Sequence, residues 1–402
     1  MNRRDSQLDR RCAFCGRSRE EVKKLVAGPG VHICDRCVTV CRQLLVDERK
    51  PPAPPRQRLP RPKELSQQLD EWVVGQERAK RMLAVAVYNH LKRLAMRGTT
   101  GDVELTKGNI LLVGPPGTGK TQLARTLARI LNVPFALADA TPLTQAGYVG
   151  EDVESIIAKL LRAAGGNAER AANGIIYIDE IDKLAKRVGH DRDVSGEGVQ
   201  QGLLKILEGK KVTVRMGADR NGLGGEMVEV DTSQILFIGG GAFAGMLKNL
   251  AERNRASTGF RQGGLGPDSM SQAVRSLRHT DLHKFGFLPE FAGRFPVIVP
   301  LDPLGEQQLV EILVRPRDAL VRQYQRLFSM EGVRLDVTPD GLAAIARMAM
   351  RRDTGARGLR AVMEELLLDA MFDLPSHVGS TFRLDCEAVE CGQPRLLGRS
   401  AA

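Results

Sequence analysis

Between Leu65 and about residue 300, short apolar runs alternate with stretches whose apolar residues recur every three or four positions. The runs at 110–113, 135–138, 175–178 and 235–238 read as buried strands, and Leu123, Leu127, Ile130 and Leu131 mark one face of a helix after the first of them. Strands alternating with helices predict an α/β fold with a mostly parallel, covered sheet, here a large domain over 65–302. Beyond Asp302 the period becomes helical. Thr338-Pro339-Asp340 reads as a helix start with proline in the first turn, continued by Leu342, Ile345 and Met348. Leu359, Val362, Met363, Leu366, Leu367 and Met371 form a further stripe, so a small α-helical domain with a C-terminal tail is expected over 303–402. There is no internal repeat.

Ahead of these domains the pattern is different. Residues 47–64 hold Pro51, Pro52, Pro54, Pro55, Pro60 and Pro62 among basic residues, the composition of an extended, semi-rigid linker. Residues 1–46 have too little apolar sequence to fold on a core alone. They contain Cys12-x2-Cys15, eighteen residues, then Cys34-x2-Cys37, a zinc-site spacing in which two turns each offer two thiolates to one Zn²⁺ ion. Cys41, one turn past Cys37, reads as a packed thiol, and His32 is the alternative ligand.

Composition narrows the class. Length of 402 residues predicts two or three domains. The formal charge of +11 permits nucleic-acid or acidic-protein partners without requiring them. No apolar run approaches a membrane span; the longest, 235–247, is broken by glycines. The first eleven residues are charged with no apolar stretch behind them, so no secretory signal is expected. Seven cysteines in that setting point to reduced thiols, metal binding and a cytoplasmic protein.

Gly114-Pro115-Pro116-Gly117-Thr118-Gly119-Lys120-Thr121 is a full P-loop pattern, placed between an apolar run and a helix pattern as phosphate cradling requires. Backbone N–H groups and the helix N-terminus would face phosphates, Lys120 would reach the β/γ-phosphates and Thr121 would ligate Mg²⁺. About 60 residues on, Ile175-Ile176-Tyr177-Ile178-Asp179-Glu180 closes an apolar run with two carboxylates. Asp179 is expected in the Mg²⁺ shell and Glu180 as the base that activates water. The expected activity is ATP hydrolysis.

Three glycine-rich segments interrupt the large domain, at 147–150, 217–225 and 259–266. The first exposes an aromatic-apolar pair, Tyr148-Val149, beside Glu151 and Asp152, and such a pair needs something to grip. Two arginines are candidates for stabilising transition-state charge: Arg294, in Phe291-Ala292-Gly293-Arg294-Phe295-Pro296, and Arg357, in Gly355-Ala356-Arg357. By spacing alone, among 59 basic residues, a surface cation is the ordinary reading of either.

Taken together these residues resemble the ClpX family of AAA+ unfoldases. The resemblance covers the four cysteines, the P-loop, Asp179-Glu180, Gly147-Tyr148-Val149-Gly150, 291–296 and 355–357, with further matching stretches at 70–80, 84–90, 150–153 and 193–201. The related HslU shares the Gly-Tyr-Val-Gly loop but lacks an N-terminal zinc domain. The resemblance implies an AAA+ fold and a ring of six subunits with ATP between the large and small domains. It implies that Val73 and Val74 border the adenine, Arg294 reaches a neighbour's nucleotide and Arg357 senses its own subunit's. Tyr148 and Val149 would line an axial pore and push substrate polypeptide, with 192–198 as a second pore loop. The zinc domain would dimerise and receive adaptors or protein substrates, and a ClpP-type peptidase would be the proteolytic partner.

The chain departs from the family in two loops. The peptidase-docking tripeptide, aliphatic-Gly-Phe in the family, is matched by Thr258-Gly259-Phe260, which predicts weakened docking and keeps a protease-independent remodelling chaperone as the alternative. The Arg-Lys-His loop at the pore entrance is absent from 214–228, where Arg215 and Arg220 are the only cations. A DNA motor is the remaining alternative; it would need a basic pore loop, and Tyr148-Val149 is followed by Glu151-Asp152, so no nucleic-acid partner is expected.

Overall fold

The computed structural model describes residues 11–48, 59–96, 105–144, 151–186, 196–216, 226–258, 267–352 and 354–398. The chain forms two compact units that divide after Leu59. In the first, β1 (Leu25–Gly28) and β2 (Val31–Cys34) form an antiparallel hairpin that runs directly into α1 (Asp35–Glu48). Only Cys12 and Cys34 are buried among its described side chains, whereas Phe14, Val26, Val31, Val38 and Val40 are exposed. Among the described residues no apolar core holds the hairpin on the helix.

The second unit begins with α2 (Pro62–Asp70) and α3 (Glu77–Ala95). Then come β3 (Ile110–Val113), α4 (Lys120–Leu131), β4 (Phe135–Asp139), α5 (Glu154–Ala163), α6 (Ala168–Ala172), β5 (Ile175–Asp179) and α7 (Glu197–Glu208). An antiparallel hairpin, β6 (Lys211–Met216) and β7 (Glu226–Asp231), precedes β8 (Leu236–Gly241). Four helices, α8 (Ala244–Thr258), α9 (Pro267–Arg275), α10 (His279–Phe285) and α11 (Pro289–Gly293), lead to β9 (Val297–Pro300). The strands β4, β5, β8, β3 and β9 lie side by side in that order, each parallel to its neighbours.

Successive residues of a strand point to opposite faces. Leu111, Val113, Ile176, Ile178 and Phe237 pack into one apolar cluster, and Ile110, Leu112, Ile175, Tyr177, Leu236 and Ile238 into another. Both faces are covered, which is why the strands are continuous apolar runs rather than alternating ones. The expected strand at 235–238 begins one residue later and runs on through Gly239, Gly240 and Gly241, residues that normally weaken a strand. Each leaves space for a neighbour: a Cβ would lie 2.8 Å from Ile181 Cδ1 at Gly239, 2.0 Å from the Tyr177 hydroxyl at Gly240 and 2.5 Å from the Phe243 ring at Gly241.

The remainder comprises α12 (Glu306–Val314), α13 (Leu320–Met330), β10 (Arg334–Val337), α14 (Pro339–Arg351), α15 (Ala356–Phe372), β11 (Thr381–Leu384), α16 (Cys386–Cys391) and β12 (Arg395–Leu397). It has its own core around Leu313, Phe328, Ile345, Leu359, Met363 and Leu367. The expected start at Thr338 is present, its hydroxyl capping α14 by accepting from Gly341 N–H at 3.3 Å. The helices carry a small sheet that the sequence pattern does not announce, β10 parallel to β11 and β11 antiparallel to β12. Among the described residues no helix is long and apolar enough to cross a membrane.

Candidate nucleotide site and metal centre

The phosphate loop joins the C-terminal end of β3 to the N-terminus of α4. Gly117 and Gly119 take φ of +73° and +96°, the left-handed region open to glycine. Gly117 also has no room for a side chain, since a Cβ would lie 2.4 Å from the Thr354 carbonyl oxygen and 2.9 Å from Ala356 N. The N-terminus of α15, which carries Arg357, is therefore seated directly on the loop, with Ala356 N–H donating to Gly117 O at 3.3 Å. Thr118 donates its hydroxyl to Pro115 O at 2.8 Å. Lys120 is buried and donates to the Gly114 and Pro115 carbonyls at 2.7 and 2.9 Å. Burial, with the Arg357 charge adding to it, pushes its ammonium down to about 8 against the pull of Asp179 and Asp182. A polyphosphate in this cradle would meet glycine backbone and a buried cation, which fits the nucleotide that the motif implies.

The loop and β5 meet through Thr121, whose hydroxyl donates to Asp179 Oδ2 at 3.0 Å. The Asp179 Oδ1 atom accepts from the Tyr177 hydroxyl at 3.2 Å and from Glu180 N–H at 3.0 Å. A hydroxyl beside a carboxylate at the mouth of the phosphate loop is a donor set suited to Mg²⁺. Glu180 has φ of +54°, so the chain turns sharply after β5. Its carboxylate accepts from the Thr141 hydroxyl at 3.0 Å, an atom brought there because Asp139 and Asp179 pair at the ends of β4 and β5. Sequence reasoning missed Thr141 and Tyr177. Nothing in the sequence near Thr141 marks it, and Tyr177 read only as one member of the apolar run 175–178.

Val73 and Val74 are both buried, and the segment that carries them is fixed at two points. Lys80, almost wholly buried, pairs with Asp70 and donates to Val73 O at 3.0 Å. The Gln76 amide makes two hydrogen bonds with the Asp302 backbone, donating to its carbonyl at 2.7 Å and accepting from its N–H at 3.0 Å. Arg275 in turn donates to the Asp302 carboxylate at 2.7 Å.

Arg294 does not join this group. Its backbone carbonyl accepts from Asn109 at 2.8 Å, and its guanidinium pairs with Glu208 at 2.8 Å. Ile110 pairs with Val297 in parallel register, so Arg294 precedes the first residues of β3 and β9 while the phosphate loop follows the last of β3. The strand between them separates the two by about 10 Å at least. Tyr148, Val149, 192–195, Arg220, Gly259 and Phe260 lie outside the described residues, as does the Thr258 side chain.

In the first unit the sulfurs of Cys12, Cys15, Cys34 and Cys37 all lie within 4.8 Å of one another, and Cys15 and Cys34 are 3.6 Å apart. Four sulfurs around one tetrahedral zinc stand about 3.8 Å apart, so the set fits that ion. Backbone N–H groups support it, Cys34 donating to Cys12 Sγ at 3.3 Å and Cys37 to Cys34 Sγ at 3.4 Å. Burial raises the Cys12 thiol, but donors from Cys34, Cys15 and Phe14 bring it down to about 6; burial and the neighbouring sulfurs push Cys37 up. His32 is not in the cluster, and neither is Cys41.

Comparison with known families places these features on one template. Residues 105–298 match the AAA domain (Cdc48 subfamily), residues 10–47 the ClpX C4-type zinc finger, and residues 304–380 the C-terminal, D2-small domain, of ClpB protein. The chain is 48% identical over 386 residues to the ATP-dependent Clp protease ATP-binding subunit ClpX 3 of Methylococcus capsulatus, covering 91% of this chain and 88% of that one. It is 49% identical over 385 residues to the ATP-dependent Clp protease ATP-binding subunit ClpX of Borrelia duttonii, covering 94% and 90%. A parallel-sheet ATPase with a four-cysteine zinc unit, alike at this level along nine-tenths of its length, is an ATP hydrolase and Clp-type chaperone that uses ATP, Mg²⁺ and Zn²⁺. The chain belongs to the ClpX family of AAA+ ATPases.

Proposed function

We propose that this ATPase works as a ring of six subunits that unfolds protein substrates and threads them through a central pore. The observation that carries the reading is the seat of α15 on the phosphate loop, where Gly117 and Thr354 approach without room for a methyl group. Occupancy of the loop by phosphates bears directly on the position of the helix, and so on the angle between a large domain at 65–302 and a small one at 303–402. Residues 1–46 form the zinc domain, held by Cys12, Cys15, Cys34 and Cys37, and 47–64 the linker.

In this reading 114–119 and Lys120 hold the phosphates, Val73 and Val74 border the base, and Thr121 and Asp179 hold Mg²⁺, which neutralises phosphate charge when bound. Glu180 takes the proton of the attacking water once it leaves Thr141. Arg357 senses the nucleotide of its own subunit. Arg294, at the far end of the sheet from its own phosphate loop, serves the site of a neighbour. Tyr148 and Val149 grip the polypeptide. The relatives are named as subunits of a Clp protease, which supports a ClpP-type partner, and the zinc domain would receive adaptors. Thr258 in the docking tripeptide favours the second reading, a remodelling chaperone that works without a peptidase, because a buried hydroxyl there costs about 1–3 kcal/mol at each contact. A cytoplasmic setting accords with both readings.

The test is unfolding of a stable fluorescent domain carrying an unstructured tag. Wild-type protein with ATP should abolish the fluorescence, Glu180→Gln should not, and Tyr148→Ala should do so slowly while still hydrolysing ATP. ATP turnover with the tagged domain left folded would overturn the proposal.

A further inference from the structure

Tyr177 is fully buried, yet its hydroxyl is aimed at the edge of the nucleotide site. Residues 177 and 179 are two apart on β5, so their side chains share one face of the sheet. That brings the phenol 3.2 Å from Asp179 Oδ1. On the adjacent strand Tyr177 pairs with Ile238, and Gly240 is the next residue on that same face. A Cβ at Gly240 would lie 2.0 Å from the phenol oxygen and 2.6 Å from the ring carbon that bears it. The sheet is hollowed at this position for the hydroxyl end of the side chain, at the cost of a glycine in a central strand.

We propose that Tyr177 is a positioning residue for the Asp179 carboxylate, fixing Oδ1 so that Oδ2 is the oxygen offered to Mg²⁺. The proposal rests on the assignment of Asp179 to the Mg²⁺ shell made above. Oδ1 is held by two donors that cannot drift, a phenol locked in the core and the N–H of Glu180. Oδ2 accepts only from Thr121 among the described residues, and that hydroxyl is itself the one that would turn to the metal. The carboxylate therefore keeps its orientation when Thr121 leaves it. Partners of this kind, one bond removed from a metal, commonly change its affinity by 10–100-fold.

The experiment measures binding of a fluorescent ADP analogue to the full chain across a Mg²⁺ titration and in EDTA, for wild type, Tyr177→Phe, Asp179→Asn and the double variant. Tyr177→Phe keeps the ring and removes only the donor. Its affinity in EDTA should match wild type, while the Mg²⁺ concentration giving half the full enhancement should rise on the order of tenfold. The double variant should behave as Asp179→Asn alone. An unchanged Mg²⁺ dependence in Tyr177→Phe, beside a lost one in Asp179→Asn, would leave the hydroxyl a packing group and overturn the proposal. Affinity lost in EDTA as well would also overturn it, since the phenol would then be holding the fold. A Mg²⁺ dependence retained by Asp179→Asn would instead remove the metal assignment on which the proposal stands.

Discussion

A Cβ placed on Gly117 would lie 2.4 Å from the carbonyl oxygen of Thr354. Two segments more than two hundred residues apart in sequence meet at the phosphate loop with no space between them. Alanine at 117 would meet that oxygen and also occupy φ of +73°, where a left-handed conformation alone costs about 1–2 kcal/mol. Gly117→Ala should weaken ATP binding by about tenfold or more while the melting of the sheet core is little changed. Nucleotide affinity equal to wild type by calorimetry would show that the loop has slack.

Thr141 donates its hydroxyl to the Glu180 carboxylate at 3.0 Å, a bond that Glu180 would have to give up to take a proton from water. Thr141→Val keeps the shape and removes the donor. One hydrogen bond to a charged group is worth about 1.5–3 kcal/mol, so the released carboxylate should raise basal ATP turnover by about tenfold or more. Steady-state rates without substrate check this, and a rate below wild type would mean that Thr141 supports the base rather than restraining it.

Glu180→Gln should bind ATP and lose turnover by about 10²–10⁴-fold, because an amide cannot accept the proton. Arg294→Ala should also bind ATP and hydrolyse it poorly. Mixed rings of the two variants should regain activity, since an interface with an intact Arg294 and an intact Glu180 exists only in mixtures. Mixtures no more active than either variant alone would count against service to a neighbour's site.

In the zinc unit Cys12 and Cys34 are the only buried described side chains, so metal binding and folding should be a single event. Cys34→Ser should lose stoichiometric zinc and the circular-dichroism signal of the hairpin and helix, while basal ATPase continues. Zinc content at one per chain in that variant would defeat the four-cysteine assignment.

Elements with a chemical signature or a long period were legible in the sequence. Lys120, Thr121, Asp179 and the four cysteines stand out because each sits in a motif of fixed spacing, and the structure brings Thr121 to Asp179 and the four sulfurs to one another. Pro339 and Thr338 marked a helix start through backbone chemistry that acts within one turn. What escaped depends on neighbours distant in the chain. Thr141 is notable only because β4 lies beside β5, and the sheet of β10, β11 and β12 joins segments near 335, 382 and 396 too short to carry a period. Gly239, Gly240 and Gly241 read as a break in a strand, because the side chains that require their smallness come from Ile181, Tyr177 and Phe243. The Arg294 partner Glu208 was hidden for the same reason.

The same glycine triplet limits how this protein can vary over generations. A side chain at each of these three adjacent positions would press on a different neighbour, so no single compensating change elsewhere can free them together. In a library of all single substitutions, alleles at 239, 240 and 241 should be depleted as deeply as those at Lys120, though none of the three is proposed to touch ATP. A position can thus look catalytic in such a survey when its whole role is to leave space for Tyr177, Ile181 and Phe243.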